Sequence, residues 1–180
     1  MKYLALLRGV NMIGNNIIIM SELKAAFKNQ GFENVATYIN SGNVMFSSDI
    51  ADEATLQYKC EKLISDNFNL NIAVCIISAD DLRKTIANAP DWWNNIPDAK
   101  HDAFFVISPM TAAGIFAHMG VVEEKYEQVA HHGKIVFWSA PMATISRTRW
   151  LKISKDKQIY RALTVRSANT ALKLAELAWK

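Results

Sequence analysis

Two clusters of residues combine charge, carboxamides and small residues at spacings that suit binding chemistry. The first is Arg8-Gly9-Val10-Asn11-Met12-Ile13-Gly14-Asn15-Asn16, which follows a short apolar run from Tyr3 to Leu7. Glycine adopts positive φ without steric penalty, and Asn tolerates it better than most residues. Two Gly and three Asn behind an Arg can therefore turn backbone N–H groups toward a ligand. The loop also leads into a helix expected to begin near Ser21, and the first N–H groups of a helix lack intrahelical partners. Such donors suit an anion or a carboxamide. The second cluster is Thr164-Val165-Arg166-Ser167-Ala168-Asn169-Thr170, between a short strand and a terminal helix. Alternation places Thr164 and Arg166 on one strand face, while Ser167, Asn169 or Thr170 can cap the helix. Phosphate or carboxylate would fit there. The competing reading is a capped helix whose Arg pairs with a carboxylate from the other half of the chain.

More specific chemistries are missing. Gly9 and Gly14 have the interval of a Walker loop, but Asn15-Asn16 stands where phosphate transfer needs Lys-Ser/Thr. There is no GxGxxG, CxxC, HExxH or GxSxG, and no cofactor is expected. His131 and His132 are adjacent, so they point apart on a strand or sit exposed on a turn, and no metal site is expected. His101 and His118 have no partner that spacing supplies.

Composition narrows the class. With 180 residues, 51% of them hydrophobic, the chain can bury a core as one domain or two small ones. The apolar run that ends at Arg8 is too short for a membrane span or a signal segment. With Cys60 and Cys75 as its two cysteines, the protein is expected to be cytoplasmic with both thiols in the core. The net charge of +3 conceals an asymmetry. Residues 134–180 carry ten Lys/Arg against two acids, whereas residues 1–133 carry ten against fifteen. The basic third includes Arg147, Arg149, Trp150, Lys152, Lys155, Lys157 and Arg161, and could follow a phosphate backbone. Solvated faces, or attraction between the halves, explain the asymmetry equally simply.

These residues need elements to position them. Apolar periodicity predicts a helix over 21–30, with Leu23, Ala26 and Phe27 inward, Ser21 as N-cap and Gly31-Phe32 as a Schellman stop. Strands near 35–39 and 44–47 flank the turn Asn40-Ser41-Gly42-Asn43. A helix over 52–68, with Leu56, Cys60, Leu63 and Ile64 on one face, precedes a strand over 72–77. The order βαββαβ is the ferredoxin-like unit. A capping box at Ser78–Asp81 opens a helix ending before Pro90. The order then recurs: a strand over 103–107, a helix from Ser108-Pro109 to Gly120, two strands around His131–Gly133, a broken helical region over 143–161, a strand over 163–165 and a terminal helix. The fold class is α+β, with two ferredoxin-like subdomains of antiparallel sheet, helices on one face, and a C-terminal helix. The divisions expected are 1–78, a helix and connector over 79–102, and 103–180. In this topology the Arg8–Asn16 loop and the Asn40–Asn43 turn share one sheet rim, close to the Asn69–Asn71 turn. An RNA recognition motif would need aromatics displayed on strands one and three, and the match is poor.

LLRGVNMIGNN, YINSGNVMF and TVRSANTALKLAEL together resemble the bacterial family known as domain of unknown function 1697. The resemblance spans nearly the whole chain. It implies a small α+β protein of two subdomains with no established activity, and singles out Arg8, Gly9, Asn11, Gly14, Ser41, Gly42, Asn43, Arg166, Asn169 and Thr170. The sequence departs from the family pattern at Ile13, Ile18, Ser167 and Ala168. These changes make the first loop more apolar and the second helix entrance less decorated.

The leading expectation is a binding module for a nucleotide or another small anionic ligand. Arg8 supplies charge, Gly9, Gly14 and Gly42 allow close backbone approach, and Asn11, Asn15 and Asn43 supply carboxamides. Arg166 would complete the site if the halves bring the two clusters together. The alternatives are nucleic-acid binding through the basic third, and an enzyme of unidentified class lacking a recognisable nucleophile. No membrane partner is expected, and the Trp92-Trp93 region is the candidate for self-association.

Overall fold

The computed structural model describes residues 1–12 and 14–179; Ile13, one of the departures from the family pattern, and Lys180 lie outside the described residues. Contacts divide the chain into two compact units, Met1–Leu82 with Glu176–Lys180, and Arg83–Ala175.

The first unit runs β1 (Lys2–Leu7), α1 (Met20–Asn29), β2 (Glu33–Tyr38), β3 (Asn43–Ser47), α2 (Glu53–Phe68) and β4 (Val74–Ser78), and the N-terminal part of α3 (Ala79–Ala87) follows. Its antiparallel sheet has the order β2-β3-β1-β4, the ferredoxin-like arrangement. Tyr3, Ala5 and Leu7 of β1 pack with Leu23 and Phe27 of α1 and with Leu56, Cys60 and Ile64 of α2. Phe27, Phe32 and Phe46 form an aromatic cluster with centroids 4.6–5.6 Å apart. Burying each such side chain contributes roughly 1.5–3 kcal/mol.

Local signals explain the helix ends. At the end of α1, Gly31 takes φ +91°, its N–H meets Lys28 O, and Phe32 N–H meets Phe27 O at 3.2 Å. That is the Schellman stop expected from Gly31-Phe32. Asp52 caps α2 by accepting from Thr55 N–H at 2.8 Å. Ser78 caps α3, its hydroxyl accepting from Asp81 N–H at 3.0 Å. The expected cap at Ser21 is corrected. Helix α1 starts at Met20 from an extended Ile19 that supplies no side-chain cap. The helix entrance is fixed one residue earlier, by bonds to Ile18.

The second unit holds β5 (Ala99–Val106), α4 (Ala112–Met119), β6 (Gln128–His132), β7 (Ile135–Pro141), a 3-10 turn (Met142–Arg147), α5 (Arg149–Ile153), α6 (Lys157–Arg161), β8 (Leu163–Ser167) and most of α7 (Ala168–Trp179). The sheet order β6-β7-β5-β8 repeats that of the first unit. Its core joins Phe104, Val136 and Trp138 of the sheet to Ile115 and Met119 of α4 and to Trp150 of α5, whose ring stacks on Phe104 at 3.9 Å. Two sequence expectations change here. Strand β5 begins at Ala99, because Ala99–Asp102 pair with Trp138–Pro141 beyond the apolar stretch. Thr111, rather than Ser108-Pro109, caps α4, accepting from Gly114 N–H at 3.1 Å.

Candidate functional site

The first loop is a tight hairpin held at both ends. Gly9, Asn11, Gly14 and Asn16 all have positive φ. Asn11 N–H meets Asn16 O at 3.1 Å, Asn15 N–H meets Met12 O at 2.9 Å, and the Asn16 carboxamide donates to Gly9 O at 2.9 Å. The Asn11 side chain is the clasp. Its Oδ1 accepts from Ile18 N–H at 2.8 Å, and its Nδ2 donates to Ile18 O at 2.9 Å and to Asn40 Oδ1 at 2.8 Å. One carboxamide therefore ties the loop, the approach to α1 and the β2–β3 turn together. Buried Ile18 belongs to the core.

The hairpin turn closes against the loop from the other side. Leu7 N–H donates to Gly42 O at 2.8 Å, and Arg8 N–H donates to Ala73 O, just ahead of β4, at 3.0 Å. Gly42 has φ +68°, and a Cβ there would lie 2.5 Å from Val10 Cγ2 and 2.7 Å from Leu7 Cβ. Asn43 is fully buried and donates from Nδ2 to Tyr38 O at 3.1 Å and to Ser41 Oγ at 2.9 Å. The structure thus brings Arg8, Gly9, Asn11, Ser41, Gly42 and Asn43 together. Asn11 and Asn43 spend their carboxamides on the scaffold, while Gly14 and Asn15 are exposed and Arg8 is half-buried.

In the second unit, buried Arg166 donates from Nη1 to Thr164 Oγ1 and to Val165 O, both at 2.8 Å, so the two side chains share a strand face as alternation requires. Ser167 Oγ accepts from Thr170 N–H at 3.3 Å and caps α7. Asn169 Oδ1 accepts from Asn94 Nδ2 at 3.3 Å.

A model for proteins of unknown function, DUF1697, matches residues 1–137. The chain belongs to the DUF1697 family. The part matched by the DUF1697 model contains the whole first loop and the Ser41–Asn43 turn, and ends before Arg166, Asn169 and Thr170. The chain is also similar to the conserved bacterial protein SP0830 from Streptococcus pneumoniae, with 29% identity over 98% of each chain and a TM-score of 0.86. No curated protein matches it.

Other features of this DUF1697 chain bear on its chemistry. Tyr3 and Phe46 stack at 5.9 Å within the core, so neither offers a ring face to a base. Sequence spacing missed several polar centres. His101 Nε2 meets Ile96 O at 2.9 Å, and its Nδ1 meets Ser139 Oγ at 2.5 Å and Asn94 N–H at 3.1 Å. A Ser–His pair could suggest a nucleophile, but Ser139 is 1% exposed, which closes it to substrate. Burial raises the Asp102 carboxyl above its ordinary value, partly offset by Lys100 at 3.0 Å. Buried Glu127 accepts from Trp138 Nε1 at 2.7 Å, from Trp150 N–H at 3.2 Å and from Arg149 N–H. It sits in a polar run with no pattern to mark it. Among the described residues, no cluster of three His, Cys, Asp or Glu could hold a metal, and no helix is long and apolar enough to cross a membrane.

Proposed function

We propose that this protein is a cytosolic binding module for a nucleotide or another small anionic ligand, with the Arg8–Asn16 loop as its site. The observation that supports this most is the bracing of the loop. Asn11 and Asn16 hold the left-handed backbone region without being glycine, fixed there by a closed set of hydrogen bonds, and such residues cluster at ligand clamps. Arg8 supplies charge, and Gly9, Gly14 and Asn15 form the ligand-facing edge. Asn11, Ser41, Gly42 and Asn43 are the brace that keeps that edge in place. The entrance to α1 adds N–H donors without a side-chain cap, a favourable neighbour for an anion. Arg166, Asn169 and Thr170 are a further anion-facing corner in the same reading; they weigh less, because Arg166 already serves two acceptors.

The test is thermal denaturation against a panel of nucleotides and phosphorylated or carboxylated metabolites. Some members should raise the melting temperature of the wild type and leave Arg8→Ala and Asn15→Ala unmoved. A panel without effect on the wild type, or stabilisation that survives Arg8→Ala, refutes the assignment.

A further inference from the structure

A small hollow in the second unit collects three cations of the basic C-terminal third. Tyr126, Arg147, Arg149 and Lys152 line a cavity of about 110 Å³. That is the room of three or four waters at about 30 Å³ each, or of one tetrahedral oxyanion. Arg147 Nη1 donates to the Tyr126 hydroxyl at 3.3 Å, and its guanidinium lies 5.5 Å from the ring centroid. The phenol oxygen therefore accepts from Arg147, and its own hydrogen can point into the hollow. Arg147, with Lys125 beside it, holds the Tyr126 phenol below its ordinary value, as a cationic setting should.

Arg149 is aimed by two anchors. Its Nε donates to Met119 O at 3.0 Å, and its backbone N–H is fixed by buried Glu127. Its Nη groups meet no protein acceptor among the described residues. The Lys152 ammonium likewise meets no carboxylate among them. The two acids on the lining are engaged elsewhere. Glu127 spends both oxygens on N–H donors, and Glu123 faces Lys125 Nζ at 2.8 Å. What remains is a concave set of N–H and O–H donors with a surplus of positive charge. Two guanidinium groups and an ammonium around one small hollow suit a phosphate, whose several oxygens can accept from all of them at once.

We propose that the Tyr126–Arg147–Arg149–Lys152 hollow binds one phosphate group, as inorganic phosphate or the end of a phosphomonoester. The site is independent of the first-loop reading, because it uses residues of the other unit. Backbone amide chemical shifts test it directly, with inorganic phosphate, glycerol phosphate and a short single-stranded oligonucleotide as separate probes. Phosphate and glycerol phosphate should move the same amides around Tyr126, Arg149 and Lys152 to saturation at about 1 mM, a weak-site concentration. Lys152→Met and Arg149→Met should each weaken binding about tenfold, as the loss of a charge-assisted contact would. Lys152 has no side-chain partner among the described residues, so its replacement keeps the test valid even if Arg149→Met disturbs α5. Arg8→Ala should leave this titration unchanged. The proposal is overturned if the shifts do not saturate, if Lys152→Met binds like the wild type, or if the oligonucleotide alone perturbs these amides.

Discussion

Replacing Gly42 by Ala measures how tightly the first loop is pressed against the hairpin turn. Two terms contribute. At φ +68° an L-residue is strained, by about 1–2 kcal/mol relative to glycine. The new Cβ would also lie 2.5 Å from Val10 Cγ2 and 2.7 Å from Leu7 Cβ, both in the buried core. Overpacking of that kind costs about 1–3 kcal/mol. Gly42→Ala should therefore lose about 2–5 kcal/mol. Gly9 and Gly14 provide the control, since they also have positive φ but nothing within 4 Å of an added Cβ. Gly9→Ala and Gly14→Ala should show only the conformational part, about 1–2 kcal/mol. The difference between Gly42→Ala and Gly9→Ala then isolates the steric term. A Val10→Ala background should recover part of it and no more, because Leu7 Cβ is fixed to its backbone. Urea unfolding followed by far-ultraviolet circular dichroism supplies the numbers, with equal slopes required for comparison. If the three glycine variants agree within about 0.5 kcal/mol, close packing of loop on turn is refuted.

Three further outcomes are expected. Glu127→Ala strips acceptors from the Trp138 indole and two backbone N–H groups; at about 1–3 kcal/mol for each of the two fully buried donors, Trp138 Nε1 and Trp150 N–H, it should destabilise by at least about 2 kcal/mol, and unchanged near-ultraviolet dichroism and stability would contradict this. Burial pushes the Cys60 thiol up to about 12 from an ordinary 9.0, so the folded state disfavours the thiolate; its contribution to stability is full below pH 9.0 and falls as pH rises toward 12, and alkylation of Cys60 at pH 8 should require unfolding. Lys100→Met removes the ammonium 3.0 Å from Asp102 and should move that carboxyl further above its ordinary value in a carbon-13 titration, where no movement would show that burial alone sets it.

Local features of the fold were legible because local physics decides them. The Tyr3–Leu7 run, the spacing of Leu23, Ala26 and Phe27, and the Gly31-Phe32 stop each depend on residues a few positions apart. The rim shared by the first loop and the Asn40–Asn43 turn followed from topology. Its chemistry did not. Asn11 reaches Asn40 across 29 positions, and only the folded chain shows that its carboxamide is consumed as a clasp rather than offered to a ligand. The same holds for Asn43, whose burial turns a candidate contact into a brace. The Ser21 cap failed because Asn11 fixes Ile18 and so starts the helix early, an effect without a local sequence signal. Glu127 and the His101–Ser139 pair arise from strand register and helix placement, which single-residue types do not encode.

The register between β2 and β3 shifts between Glu33 and Ala36, where Asn34 has φ +50°. Since β2 is the outer strand of its sheet, this irregularity falls on an edge that could otherwise template the addition of another extended chain. A left-handed residue interrupts the repeat of outward N–H and C=O groups and leaves only Ala36–Tyr38 in regular pairing. Three residues are too few to nucleate a stable added strand. The kink at Asn34 thus acts as a guard against edge-on aggregation, on the same strand that leads into the turn braced against the first loop.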